Sequence, residues 1–256
     1  MDTAGVGIAT YEASRGWLFS RPGRSGGTAA GTALHPSLQS IGRDQVESDS
    51  QADFARLQAV RQRYKLPSSF LLFVGDLTYR KNILGLISAY AIVQGERPDL
   101  HLVLAGAADS ATDAALDSCI RKHGIRHRIT RTGYIDAEDL PVIYSLAHAF
   151  VFPSHDEGFG LPPLEAMACG CPVVCSGGAA IENCGSAAVT CDPRDPASIA
   201  SAVSLLLDHP DVRKEKIEAG FKKAAEFTWE KAARQTEDIY RKVLAHRPIH
   251  PTETAP

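Results

Sequence analysis

From residue 52 to about residue 246, short apolar runs alternate with longer stretches of helical period. The apolar runs are Phe70–Val74, Leu100–Ala105, Ile129–Gly133, Ala149–Pro153, Pro172–Ser176 and Ala187–Cys191. Most are continuous rather than alternating, as expected of strands covered on both faces in a parallel sheet. Between and after them, helices are predicted at 82–95, 111–123, 137–147, 161–169, 178–184, 196–208, 210–226 and 229–245. Asp136 reads as the N-cap of the 137–147 helix, with Asp139 close behind. The alternation predicts an α/β fold with a doubly wound, Rossmann-like parallel sheet, whose ligands bind beyond the carboxyl ends of the strands. Residues 1–51 carry Gly23-Arg-Ser-Gly-Gly27 and no sustained period, and are expected to be irregular or disordered. Residues 247–256, with Pro248, Pro251 and Pro256, are expected to form a flexible tail.

Composition narrows the choice of partner. Apolar residues make up 44% and charged residues 22% of the 256-residue chain, so a packed core is expected. A net charge of −3 gives no reason to invoke nucleic acid. No apolar run is long enough to span a bilayer, and a peripheral membrane association has no signature here. The first residues, Met1-Asp-Thr-Ala-Gly5, lack the basic start and apolar core of a signal peptide. The six cysteines show no CxxC spacing, and Cys169-Gly-Cys171 is too tight for a zinc knuckle and has no second pair. Buried, reduced thiols in a cytoplasmic protein are expected, with no metal and no cofactor. No strand is followed by GxGxxG and a later acidic residue, which argues against a nicotinamide-dependent oxidoreductase.

The chemistry concentrates in Glu157-Gly-Phe-Gly-Leu-Pro-Pro-Leu-Glu165. The proline pair predicts a helix opening after a glycine turn, because proline's missing N–H has no intrahelical partner in the first turn. The backbone N–H groups of Phe159, Gly160 and Leu161 would then face a partly positive helix end, an anion-binding arrangement. Glu157 and Glu165 bracket that position, which suits a ligand with phosphate in the middle and hydroxyls at both ends, such as a nucleotide-sugar. An Arg-Lys dipeptide is ordinarily a solvated basic pair. Arg80 and Lys81, however, follow the strand ending at Gly75, as Ile135 follows the strand ending at Gly133 and Glu157 the strand ending near Pro153. All three groups fall on one rim of the predicted sheet. A guanidinium and an ammonium together suit a diphosphate. Glu165 enters the apolar run Ala166-Met-Ala-Cys-Gly170, where a carboxylate needs hydrogen-bond donors, and a ribose diol supplies two.

The run from about Leu66 to Leu244 resembles the donor-binding, C-terminal half of retaining GT-B glycosyltransferases of family 4, the group 1 class. The matching pieces are Phe73-Val-Gly-Asp-Leu-Thr-Tyr-Arg-Lys-Asn82, Leu102-Val-Leu-Ala-Gly106, Gly133-Tyr-Ile-Asp136 and Ala149-Phe-Val-Phe-Pro-Ser154, with the Glu157–Val174 run the strongest. The resemblance implies that Glu165 holds the ribose hydroxyls and Glu157 the transferred sugar. It implies that Arg80 and Lys81 neutralise the diphosphate, that Phe159, Gly160 and Leu161 hold sugar and phosphate through N–H groups, and that the backbone near Ile135 meets the base. Gly75 belongs to the same substrate-binding set. The implied activity is transfer of a hexosyl unit, with retention and without a metal, from a UDP- or GDP-sugar to an unknown glycan or lipid-linked acceptor.

The chain also departs from that pattern. The family has an N-terminal half of similar size, and nothing of that size precedes residue 66. Gly5-Val-Gly-Ile-Ala-Thr-Tyr11 faintly resembles the glycine loop that opens that half. Asp76 stands where many members carry a basic residue, which weakens one phosphate contact. His155 and Asp156 read as polar loop residues. The last helix, with Trp229, Ile239, Tyr240, Val243 and Leu244, would cross onto the absent half in the family, so part of its apolar face is expected to lack cover. Two outcomes stay open: activity with a separate acceptor-binding partner subunit, or a truncated, non-catalytic nucleotide-binding remnant.

Overall fold

The computed structural model describes residues 51–245, apart from position 177. The expected irregular segment from residue 1, the Gly5–Tyr11 glycine loop and the C-terminal tail therefore lie outside the described residues. The chain divides into two units, one running to Glu226 and the other beginning again at Phe227.

The larger unit is built on six strands: β1 Phe70–Val74, β2 His101–Ala105, β3 Ile129–Gly133, β4 Ala149–Phe152, β5 Val173–Ser176 and β6 Ala188–Cys191. All pair in parallel, in the order β3-β2-β1-β4-β5-β6. Helices alternate with them: α1 Gln51–Arg63, α2 Ile83–Glu96, α3 Ser110–His123, α4 Leu140–Leu146, α5 Leu161–Ala168, α6 Ala179–Cys184, α7 Pro196–Asp208 and α8 Pro210–Ala224. This is the expected doubly wound Rossmann-like sheet.

The central strands are buried on both faces because their sequences are apolar at every position. β1 (Phe-Leu-Leu-Phe-Val) and β4 (Ala-Phe-Val-Phe) are buried throughout. Phe73, Phe152 and Phe150 stack in series with centroids 6.1 and 5.7 Å apart. Full burial contributes about 1.5–3 kcal/mol for each such ring. The edge strand β3 (Ile-Thr-Arg-Thr-Gly) differs from the apolar expectation, since none of its residues is fully buried. An edge strand is open to solvent along one side, and a charged residue there discourages pairing with another chain.

On the helices, α2 buries Ile83, Leu86, Ile87, Tyr90 and Val93 at helical spacing, and packs against α7, which buries Ile199, Val203 and Leu206. Helix α1 was not foreseen as a separate element. It is tied to the loop after β3 by Arg56, which donates to the Glu138 carbonyl at 2.8 Å. Arg63 reaches Asp136 at 2.9 Å and Asp139 at 2.8 Å. These bonds correct the reading of Asp136 as an N-cap: α4 starts at Leu140, Asp139 occupies the cap position, and its side chain makes no capping bond. Arg63 draws both carboxylates away from the helix end.

Chain direction places every strand's carboxyl end on one rim. From β1 the chain winds out through β2 to β3, then returns to the other side of β1 as β4. That reversal makes the gap between β1 and β4 the switch point, where the connections diverge and leave a crevice. Gly75 N–H donates to Ala105 C=O, and Gly106 N–H to Gly133 C=O, both at 2.9 Å, which ties the three glycine-ended strands together at the rim. Gly106 has φ +140, and a Cβ there would lie 2.0 Å from the Gly75 carbonyl oxygen, so this seam tolerates only glycine.

The unit beginning at Phe227 contains α9 Trp229–Ala245, which has no buried residue. Ile239, Tyr240, Val243 and Leu244 on it are exposed.

Candidate functional site

Two loops meet at the switch point. One, Gly75–Asn82, follows β1; the other, Pro153–Gly160, follows β4. His155 N–H donates to the Arg80 carbonyl at 2.9 Å, joining them through the backbone. Asn82 joins them through its side chain, donating to the carbonyls of Pro153 at 3.0 Å and Pro193 at 2.6 Å. It is buried and left-handed, at φ 55 and ψ 41, a conformation asparagine tolerates better than most residues. The chain thus turns sharply just before α2, between Lys81 and Ile83.

The turn holds Lys81 inward. Its Nζ lies 2.5 Å from Glu157 Oε1, with both side chains at least nine-tenths buried, and 4.8 Å from the centroid of the Phe152 ring. Burial lowers the ammonium's pKa below the ordinary lysine value, against the opposing hydrogen bond and charge of Glu157. Arg80, mostly exposed, approaches Glu157 Oε2 at 3.9 Å and donates to the Asp156 carbonyl at 3.4 Å. Two cations therefore share one buried carboxylate, with one of them facing solvent. Desolvating an ion pair is costly, and similar stability is often available from apolar side chains. Tyr79 and His155 border the cluster as exposed rings with centroids 5.2 Å apart.

Helix α5 opens beside this cluster. Gly160 occupies its N-cap at φ 81, and no side chain caps the helix. Pro162 and Pro163 follow and carry no N–H, so Leu161 is the first-turn donor. Asn183 fixes the turn by donating to the Phe159 carbonyl at 2.7 Å. A Cβ on Gly160 would lie 2.8 Å from Cα and Cβ of Ala180, so α6 packs directly against the turn. Glu165 lies further along α5, only 9% exposed. Its Oε2 accepts a 2.9 Å hydrogen bond from the hydroxyl of Tyr144, which is itself fully buried.

Of the residues singled out from sequence, Arg80, Lys81 and Glu157 come together in one cluster. Phe159, Gly160, Leu161 and Glu165 follow in one turn and helix, and Gly75 ends β1 at the crevice. Ile135, half-buried, stands on the same rim beyond β3, two strands from β1. Its loop is braced by α1 and the residue that follows it, with Asp136 N–H donating to the Tyr64 hydroxyl at 3.0 Å. Asn82 and Tyr144 escaped the sequence reading. A polar residue at a helix start was a signal for the first. The second had none beyond a tyrosine in an apolar helix.

Among the described residues, no group of three or more His, Cys, Asp or Glu is placed to hold a metal. None of their helices is long and apolar enough to cross a membrane. None of the six cysteines is joined in a disulfide, and five are buried.

Comparison with known proteins places this geometry. A family model described as "Glycosyl transferases group 1" matches residues 58–223. The chain is 37% identical over 188 residues to O-antigen chain mannosyltransferase B of Escherichia coli, covering 71% of this chain and 48% of that protein. Among solved structures, it matches sucrose-phosphate synthase from Thermosynechococcus elongatus with a TM-score of 0.65 and 30% identity, over 74% of this chain and 49% of that one. It matches the C-terminal domain of a group 1 glycosyl transferase from Francisella tularensis with a TM-score of 0.60 and 25% identity, over 66% of this chain and 91% of that domain. The chain spans about half the length of the curated relatives it matches. The Rossmann-like sheet is thus that of a known family, and the chain belongs to the group 1 glycosyltransferases.

Proposed function

We propose that residues 52–246 form the donor-binding half of a glycosyltransferase that holds a UDP- or GDP-sugar across the switch point and delivers a hexosyl unit with retention. The observation that carries this reading is the buried Lys81–Glu157 pair beside the uncapped start of α5. The kinship with a mannosyltransferase and with sucrose-phosphate synthase agrees with sugar transfer.

In this reading Glu165 accepts hydrogen bonds from the ribose hydroxyls, and the backbone at Ile135 and Gly75 borders the nucleoside. The diphosphate lies against Arg80, Lys81 and the N–H groups of Phe159, Gly160 and Leu161. Glu157 accepts from hydroxyls of the sugar and holds Lys81 in place. As the anomeric C–O bond breaks, its electron pair leaves with the diphosphate. The two cations and the helix end are already oriented toward that charge, so they stabilise the transition state more than the ground state. The sugar passes through an oxocarbenium-like state. The acceptor oxygen bonds to the anomeric carbon on the same face, and its proton passes to the departing phosphate oxygen. These residues meet the leaving-group charge without drawing on a metal. A nucleotide-sugar donor and free thiols suit a cytoplasmic setting. The acceptor, a glycan or lipid-linked sugar, would be presented by an N-terminal half or a partner subunit.

Calorimetry with UDP, GDP and their hexose conjugates tests the donor site. Saturable binding to one of them is expected, weakened at least tenfold by Glu165→Ala and by Lys81→Ala, about the loss of one bond to an ionised group. Absence of binding to any nucleoside diphosphate would overturn the proposal. Binding with neither transfer nor slow donor hydrolysis would instead identify a non-catalytic nucleotide-binding chain.

A further inference from the structure

Tyr144 presents a buried polar atom that packing alone does not require. It lies on α4, outside the two loops of the site, and its ring meets Phe150 edge-on with centroids 5.4 Å apart and planes at 77°. A phenylalanine would fill the same space. The hydroxyl adds a group whose burial is unfavourable unless it is hydrogen-bonded, and it donates to Glu165 Oε2 at 2.9 Å. Burial, and then the charge of Glu165, push the phenol well above its ordinary pKa, so it remains a donor. The acceptor is the carboxylate of α5 whose neighbours Pro163, Leu164, Ala166 and Met167 are all buried.

A glutamate side chain has three rotatable bonds, and ordering them on ligand binding opposes affinity. A carboxylate fixed beforehand avoids that cost. Its two oxygens offer about four acceptor sites, and the bond from Tyr144 occupies one of them. We propose that Tyr144 is a positioning residue: its hydroxyl sets the Glu165 carboxylate in the orientation that accepts a ribose diol. This rests on the nucleotide-donor reading above.

The test compares UDP and GDP, each beside its 2′,3′-dideoxy analogue, by calorimetry on the full chain. Wild type is expected to prefer the ribose form about tenfold or more, and Tyr144→Phe to lower affinity for the ribose form about 5- to 10-fold while leaving the dideoxy form unchanged. A second arm covers the case of a poorly folded Tyr144→Phe. Glu165→Asp draws the carboxylate back from the hydroxyl with Tyr144 still packed, and is expected to lose ribose preference likewise. Adding Tyr144→Phe to Glu165→Asp should then cost nothing further. Equal loss for ribose and dideoxy forms, unchanged preference in Tyr144→Phe, unchanged preference in Glu165→Asp, or additive losses in the double variant would each overturn the positioning role. A wild type that binds both forms equally would remove the ribose role of Glu165 itself, a distinct failure.

Discussion

Replacing Lys81 with methionine isolates the buried charge pair. The pair is short, 2.5 Å, with side chains 8% and 7% exposed. Without the ammonium, Glu157 remains buried with Arg80 at 3.9 Å as its remaining ionic neighbour in this cluster, and that side chain is 56% exposed. Removing one partner of a buried pair costs about 3–5 kcal/mol; the residual pull of Arg80 places the expectation toward the lower end. For a domain of 150–250 residues, about 1 kcal/mol moves Tm by roughly 2–4 °C. Lys81→Met should therefore melt roughly 6–12 °C below wild type. Glu157→Gln should lose a comparable amount, since it leaves the ammonium buried. The double variant should recover most of the loss, because a neutral pair of similar volume replaces a buried ion pair at little cost. Scanning calorimetry of the four proteins reads this directly. Because buried charges are screened little, the losses should persist in 0.5 M salt, about three times physiological ionic strength. Additive losses in the double variant, or losses that vanish in salt, would refute the claim that the two groups act as one desolvated pair.

Gly160→Ala places a Cβ 2.8 Å from the Ala180 backbone at φ +81. The left-handed conformation alone costs about 1–2 kcal/mol, so urea unfolding should show at least that loss, and a neutral substitution would contradict the packing of α6 on the turn. Asn82→Ala should cost about 2–4 kcal/mol by leaving the Pro153 and Pro193 carbonyls without this donor. Asn82→Gly should cost about 1 kcal/mol less, since glycine relieves the left-handed strain; the reverse order in urea titrations would refute this. Tyr90 and Tyr144 are both raised above the ordinary phenol value of 10.0, chiefly by burial. Their stabilisation is fully present below pH 10 and lost as pH rises above it, because the unfolded chain releases these protons first. Unfolding free energy measured from pH 9 to 11, on scales of about one pH unit, should fall less steeply in Tyr90→Phe than in wild type; equal slopes would contradict the assignment.

Much of this arrangement was legible in the sequence because its cause is local. Phe70–Val74 is apolar at every position, and the helices at 196–208 and 229–245 begin and end where their patterns do. The convergence of Arg80, Lys81 and Glu157 followed from one rule: each comes just after a strand of a parallel sheet. Other features depend on contacts between distant segments. The pairing of Lys81 with Glu157 spans 76 residues, and that of Tyr144 with Glu165 spans 21. No pattern within either segment encodes the partner. Helix α1 went unnamed because its sequence is largely polar. Its place comes from Arg56, Arg63 and Tyr64 bracing the loop after β3. The same bonds moved the start of α4 from 137 to Leu140, since Arg63 competes with the helix end for Asp136 and Asp139.

The central claim is that one nucleotide-sugar spans the crevice between β1 and β4, and a crystal structure of the chain with bound UDP or GDP tests it most directly. The diphosphate is expected against Lys81, Arg80 and the N–H groups at Gly160 and Leu161, with both ribose hydroxyls within hydrogen-bond distance of Glu165. A nucleotide bound elsewhere on the rim, or one whose ribose leaves Glu165 untouched while Tyr144 still holds it, would contradict the account.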